Sequence, residues 1–170
     1  MQNFMQKEKN AVSGKNTLTS VCLWITIKEK QNYLFLEVLR RYIIMMKVTS
    51  TDKAPAAIGP YSQAIEANGF LFASGQVPID PAVGDVVATG IVDQAEQVMK
   101  NIGAILEANN LTYTDVIKTT CFLADMGDFA TFNEVYGKYF TSKPARSCVA
   151  VKTLPKNVLC EVEIIAVTAK

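Results

Sequence analysis

Histidine is absent from the 170 residues, which removes the commonest general base, the commonest zinc ligand and any Ser–His or Cys–His nucleophile pair. No C-x-x-C spacing occurs among Cys22, Cys121, Cys148 and Cys160, so no zinc site is expected. Three of the four lie in strand-like apolar runs, which suits reduced thiols, no disulfide and a cytoplasmic setting. Neither G-x-G-x-x-G nor G-K-[ST] is present, so no phosphate loop is offered. Long hydrophobic runs are missing too. Residues 21–27 are apolar but stop at Lys28-Glu29-Lys30, and 33–46 are broken by Glu37 and Arg40-Arg41, far short of the roughly 20 residues a membrane span needs. No small-residue cleavage site follows a basic start, so no signal peptide is expected. Charge of one sign is not in excess: Lys+Arg 17 against Asp+Glu 16 leaves +1, and no overall field would collect nucleic acid.

The length suits one domain with a sizeable core. Residues 1–46 carry seven Lys/Arg and three Asp/Glu, whereas 47–170 carry ten and thirteen (10 − 13 = −3). The upstream stretch is read as an N-terminal extension outside the fold, and 47–170 as a self-contained, mildly acidic domain.

Within that domain, Ala54-Pro55-Ala56-Ala57-Ile58-Gly59-Pro60-Tyr61 is a proline–glycine loop. It leads through residues 62–67 to Asn68-Gly69, a strong hairpin signal, and to a return strand over 70–76 whose nearly continuous apolar content predicts cover on both sides. Residues 78–90 read as a polar loop. Ile91, Ala95, Val98, Met99, Ile102, Ile105 and Leu106 then follow helical spacing until Asn109-Asn110 stops the helix. Residues 116–124 form a strand by their β-branched content, and Asp128 looks like the N-cap of a second helix. Phe129, Phe132, Val135, Tyr136, Tyr139 and Phe140 give that helix an aromatic stripe, read as core or subunit contact, with Asn133 on its polar side, facing either solvent or a site. The fold class is α+β: one mixed sheet with both helices on one face. The other face is also apolar, and self-association is the simplest way to cover it.

Residues 143–151 and 160–166 read as a final pair of adjacent strands forming a hairpin. Arg146 shares a face with Cys148 and Ala150, and Glu161 with Glu163, so arginine and carboxylate are expected to meet near the sheet's end. A guanidinium fits a carboxylate through two parallel hydrogen bonds, which makes Arg146 the candidate ligand for a small anion. A purely structural Arg–Glu pair is the alternative reading. Cys148, with no base in view, is read as a packed thiol rather than a covalent nucleophile.

Taken together, residues 54–63 (APAAIGPYSQ), Ser74-Gly75-Gln76, Pro144-Ala145-Arg146-Ser147-Cys148-Val149, Leu154-Pro155 and 161–166 closely resemble the RidA/YjgF family of reactive-intermediate deaminases, collinearly over 47–170. The resemblance implies a chorismate-mutase-like fold, a homotrimer with a central β-barrel and three interface clefts, and hydrolysis of 2-imino acids such as 2-iminobutanoate and 2-iminopropanoate to 2-oxo acids and ammonia, with no cofactor or metal. The substrates would come from pyridoxal-phosphate-dependent dehydratases. By the same resemblance, Arg146 grips the substrate carboxylate and Glu161 holds and polarises the attacking water. Tyr61, Ser74, the backbone N–H of Gly75, Asn133 and Cys148 line the cleft. Glu163 has the same facing parity as Glu161 and stays open as the water-holding carboxylate. Departures from the family pattern are Cys160 for the usual valine, Ile164 for the usual alanine, and a slightly short 140–144 segment. Two other functions are weighed: a non-catalytic carboxylate binder or chaperone, and a ribonuclease or translation inhibitor, which the −3 domain without histidine disfavours.

Overall fold

A computed structural model describes residues 46–168; the upstream stretch read as an extension lies outside the described residues. Strands β1 (Lys47–Thr49), β2 (Ala64–Ala67) and β3 (Phe70–Gln76) open the fold. Asn68 and Gly69 both take positive φ, 53° and 81°, and close the β2–β3 hairpin as a two-residue turn needs. The polar loop over 78–90 contains an unforeseen small hairpin, β4 (Ile79–Asp80) with β5 (Asp85–Val86). Helix α1 (Ile91–Ala108) buries the seven-residue stripe, Ile91 only partly. It ends where Asn110 adopts φ 57°, with the Asn110 and Leu111 N–H groups donating to the Glu107 and Leu106 carbonyls, a Schellman closure. Strand β6 (Val116–Leu123), helix α2 (Phe129–Tyr139), β7 (Ala145–Ala150) and β8 (Cys160–Val167) follow. Asp128 makes no side-chain cap; the 3₁₀ turn before α2 is held instead by Asp125, whose carboxylate accepts from the Gly127 N–H at 2.7 Å.

The sheet order is β1-β2-β3-β8-β6-β7. This corrects the expected terminal hairpin. β7 and β8 are not adjacent, because β6 lies between them, paired in parallel with β7 and antiparallel with β8. The physical reason is that α2 returns the chain alongside β6 as a compact β–α–β unit, occupying one edge of β6. β8 is left to fill the gap between β3 and β6. Both helices cover one face, where Leu71, Cys121, Leu123, Phe132 and Val162 are all 0% exposed. Each such large apolar side chain contributes ~1.5–3 kcal/mol by burial.

The opposite face is open in the single chain. Ile65, Phe72 and Ile165 form a row across β2, β3 and β8, and Phe72 is 47% exposed. β3 therefore alternates between buried and exposed residues rather than being covered on both sides, and the apolar content that suggested two covers sits on a surface that this chain leaves bare.

Gln63 fastens the 51–55 loop to the start of β2. Its Oε1 accepts from the Thr51 N–H at 2.7 Å, and its Nε2 donates toward the carbonyls of Thr51, Ala54 and Pro55 at 2.9, 3.2 and 2.8 Å. Gln63 is only 6% exposed, so removing the amide strands buried backbone groups at ~1–3 kcal/mol. Gln63→Ala is expected to lower stability by that amount in denaturant melts, and an unchanged midpoint would contradict the assignment.

Candidate active site

The register of β6 decides where the candidate residues point. Directly paired residues share a face. Arg146 is opposite Thr119 and Cys148 opposite Cys121, and Thr119 and Cys121 are fully buried beneath the helices. Arg146 and Cys148 therefore face the helix layer. Phe122 and Thr120, one step along β6, are opposite Glu161 and Glu163, so both glutamates face the open side. Arg146 and Glu161 do not meet within one chain; they lie on opposite faces of the sheet.

The expected residues accordingly fall into two groups. In the first, the Arg146 NH1 group donates to Asn133 Oδ1 at 2.7 Å, and its guanidinium carbon lies 4.7 Å from the Tyr136 ring centre and 5.5 Å from that of Phe129. Asn133 is thus not on a polar side of α2: residues 129, 133 and 136 share one stripe, at i, i+4 and i+7. That spacing was readable in the sequence, but the aromatic pattern obscured it. Cys148 completes the group. Partial burial raises its thiol pKa, opposed by the nearby Arg146 guanidinium and the Cys121 thiol. A thiol kept protonated is a poor nucleophile, which agrees with a packing role.

The second group is Tyr61, Ser74, Gly75 and Glu161. The β3–β8 register slips between Ala73 and Gln76, so Ser74 and Gly75 form a bulge that re-aims the strand. The Ser74 hydroxyl donates to the Ser62 carbonyl at 2.7 Å. At Gly75, a Cβ would stand 1.8 Å from Glu161 Oε1; the carboxylate occupies the space that any other residue's side chain would need. Tyr61, half exposed, accepts from the Ile58 N–H at 3.2 Å. With Pro60, Ser62, Ile65, Phe72, Ala73 and Ser74 it lines an open concavity of about 440 Å³.

Burial raises the Glu161 pKa above the usual carboxylate range, and the negative charge of Glu163 adds to the shift. A raised carboxylate is a better proton acceptor near neutral pH. The linked stability has the matching sign: the ionised form is the disfavoured one, so the contribution is fullest below the unfolded pKa and is lost as pH rises through the folded one. Glu163→Gln is expected to move the acid limb of kcat/KM to lower pH, because one of the two causes is gone. A pH profile that stays in place, or moves to higher pH, would contradict the pairing.

Among the described residues Cys121, Cys148 and Cys160 are free, no group of three or more His, Cys, Asp or Glu could hold a metal ion, and no helix is long and apolar enough to cross a membrane.

Residues 51–168 match the family model described as Endoribonuclease L-PSP. A RutC family protein of Pyrococcus horikoshii is 57% identical over 72% of this chain and 98% of its own length. The 2-iminobutanoate/2-iminopropanoate deaminase of Mus musculus is 50% identical over 73% of this chain and 93% of its own. The crystal structure of E. coli TdcF with bound serine superposes with a TM-score of 0.68 at 44% identity, covering 71% of this chain and 98% of that one.

Proposed function

The chain belongs to the Endoribonuclease L-PSP (RidA/YjgF) family, and from that premise we propose that residues 47–170 form a homotrimer closed around a central β-barrel, whose interface clefts hydrolyse small 2-imino acids to 2-oxo acids and ammonia. The observation that carries this reading is the division of the site. Among the described residues the helix-side group holds a guanidinium bonded to an amide and in no ion pair, and the open-side group holds the half-buried Glu161 carboxylate, also in no ion pair. Neither half can run the reaction, and two halves on opposite faces of one sheet can combine only between copies. The bare apolar row of Ile65, Phe72 and Ile165 supplies the surface for such an assembly.

In the joined site Arg146 takes the substrate carboxylate through two hydrogen bonds, with Asn133 fixing one arm of the fork. The adjacent C2 is a protonated imine and already electrophilic, so water attack requires orientation and one base. Glu161 accepts a proton from the attacking water as the C–O bond forms. It then returns that proton to the nitrogen and takes the proton of the new hydroxyl as the carbonyl forms and the C–N bond breaks. Ammonia and the 2-oxo acid are released, and this last proton passes to the departing ammonia or to solvent. Tyr61, Ser74, the Gly75 N–H and Cys148 line the cleft. The name of the mouse relative and the serine bound to TdcF both support a small amino-acid-like ligand.

The family's description names an endoribonuclease. Histidine is absent and residues 47–170 carry −3, which favours the imine reading over RNA cleavage. RNA binding that persists above physiological salt would reverse that order. The functional test adds the protein to a pyridoxal-phosphate-dependent threonine dehydratase with semicarbazide present. A deaminase lowers semicarbazone formation at unchanged dehydratase rate, and an unchanged semicarbazone yield would overturn the proposal.

A further inference from the structure

The Arg146 guanidinium is held by neutral groups. Among the described residues its neighbours are the Asn133 carboxamide and the rings of Phe129 and Tyr136, and no ion pair forms to it within 4.0 Å. An arginine paired with a carboxylate must break that pair before it can take a ligand; one held by an amide and ring faces keeps its charge available. The nearer ring is itself fixed. The Tyr136 hydroxyl shares a buried hydrogen bond of 2.9 Å with Thr119 Oγ1, and its ring lies 4.5 Å from Phe140. Thr119 is 0% exposed and is the register partner of Arg146 on the adjacent strand. The result is a closed loop: Arg146 backbone to Thr119, Thr119 side chain to the Tyr136 hydroxyl, Tyr136 ring to the Arg146 guanidinium.

We propose that Tyr136, anchored through Thr119, is a positioning residue for carboxylate capture: its ring sets the plane and reach of the Arg146 fork. This rests on the carboxylate-binding reading of Arg146. The role is in binding, so it appears in KM rather than kcat.

Tyr136→Leu is expected to raise KM for 2-iminobutanoate ~5- to 30-fold, the range of a partly desolvated cation–π contact, with kcat nearly unchanged. Tyr136→Phe and Thr119→Val each keep the ring and remove its anchoring hydrogen bond, so both are expected to raise KM by the same smaller factor, ~2- to 5-fold, and a wild-type KM in both would overturn the anchoring role. The Arg146 Nε–H resonance in ligand-free protein supplies a readout that a purely structural role would not move: a ring-current shift kept in Tyr136→Phe and lost in Tyr136→Leu. If the leucine variant fails to fold, Tyr136→Met, closer in shape and flexible, takes its place. A folded Tyr136→Leu or Tyr136→Met with wild-type KM, or with the Arg146 resonance unmoved, overturns the inference. Arg146→Ala run in parallel separates the two failures. If it loses binding while Tyr136→Leu does not, only the positioning role falls. If it keeps wild-type KM, the carboxylate reading falls and takes the positioning role with it.

Discussion

Arg146→Ala is expected to lower kcat/KM for 2-imino acids by roughly 30- to 1,000-fold, the rate equivalent of losing ~2–4 kcal/mol of charge-assisted binding to the substrate carboxylate. The loss should be carried largely by KM, since on the proposed reading the guanidinium would hold the carboxylate in both ground and transition states. Stability should change little, because Arg146 is bonded to Asn133 at the sheet's edge strand and is not buried. Steady-state kinetics with freshly generated 2-iminobutanoate measure the effect directly, and a variant within a few-fold of wild type would show that another group takes the carboxylate.

The second large effect belongs to a glycine. Gly75→Ala puts a methyl where Glu161 Oε1 already stands, at 1.8 Å. The carboxylate must therefore swing away from the bulge. Turnover is expected to fall by about 100-fold, a typical contribution of a positioned acid–base group. This is steric displacement and not a backbone effect, so the two substitutions act on one unit and should be non-additive. Gly75→Ala combined with Glu161→Gln is expected to be no slower than Glu161→Gln alone. If the double variant shows the product of the two losses, the glycine acts on something other than the carboxylate.

The helices and the first hairpin were legible because each is specified locally. The apolar spacing of Ile91 to Leu106 and the Asn68-Gly69 dipeptide leave little choice of conformation. Strand order was not local. Nothing in 145–150 or 160–166 records that β6 comes between them; that follows from α2 returning the chain beside β6. The error propagated to the site, since adjacency would have put Arg146 and Glu161 within reach, whereas the real register sends them to opposite faces. Motif resemblance named these residues as one set and implied clefts between subunits; it was the expected pairing of the last two strands that put Arg146 and Glu161 together within one chain. The roles of Tyr136 and Thr119 were hidden for a related reason. An aromatic at helical spacing looks like core, and here it is core on one side and a platform for a cation on the other.

A site divided between protomers can be rebuilt from two broken ones. Arg146→Ala and Glu161→Gln subunits, each inactive alone, are to be unfolded, mixed in equal amounts and refolded together, and deaminase turnover measured per subunit. If each cleft takes its guanidinium from one protomer and its carboxylate from the next, random assembly restores roughly a quarter of the wild-type sites, since each half is intact with even odds. A mixture no more active than the average of its two parents would contradict a site shared between subunits.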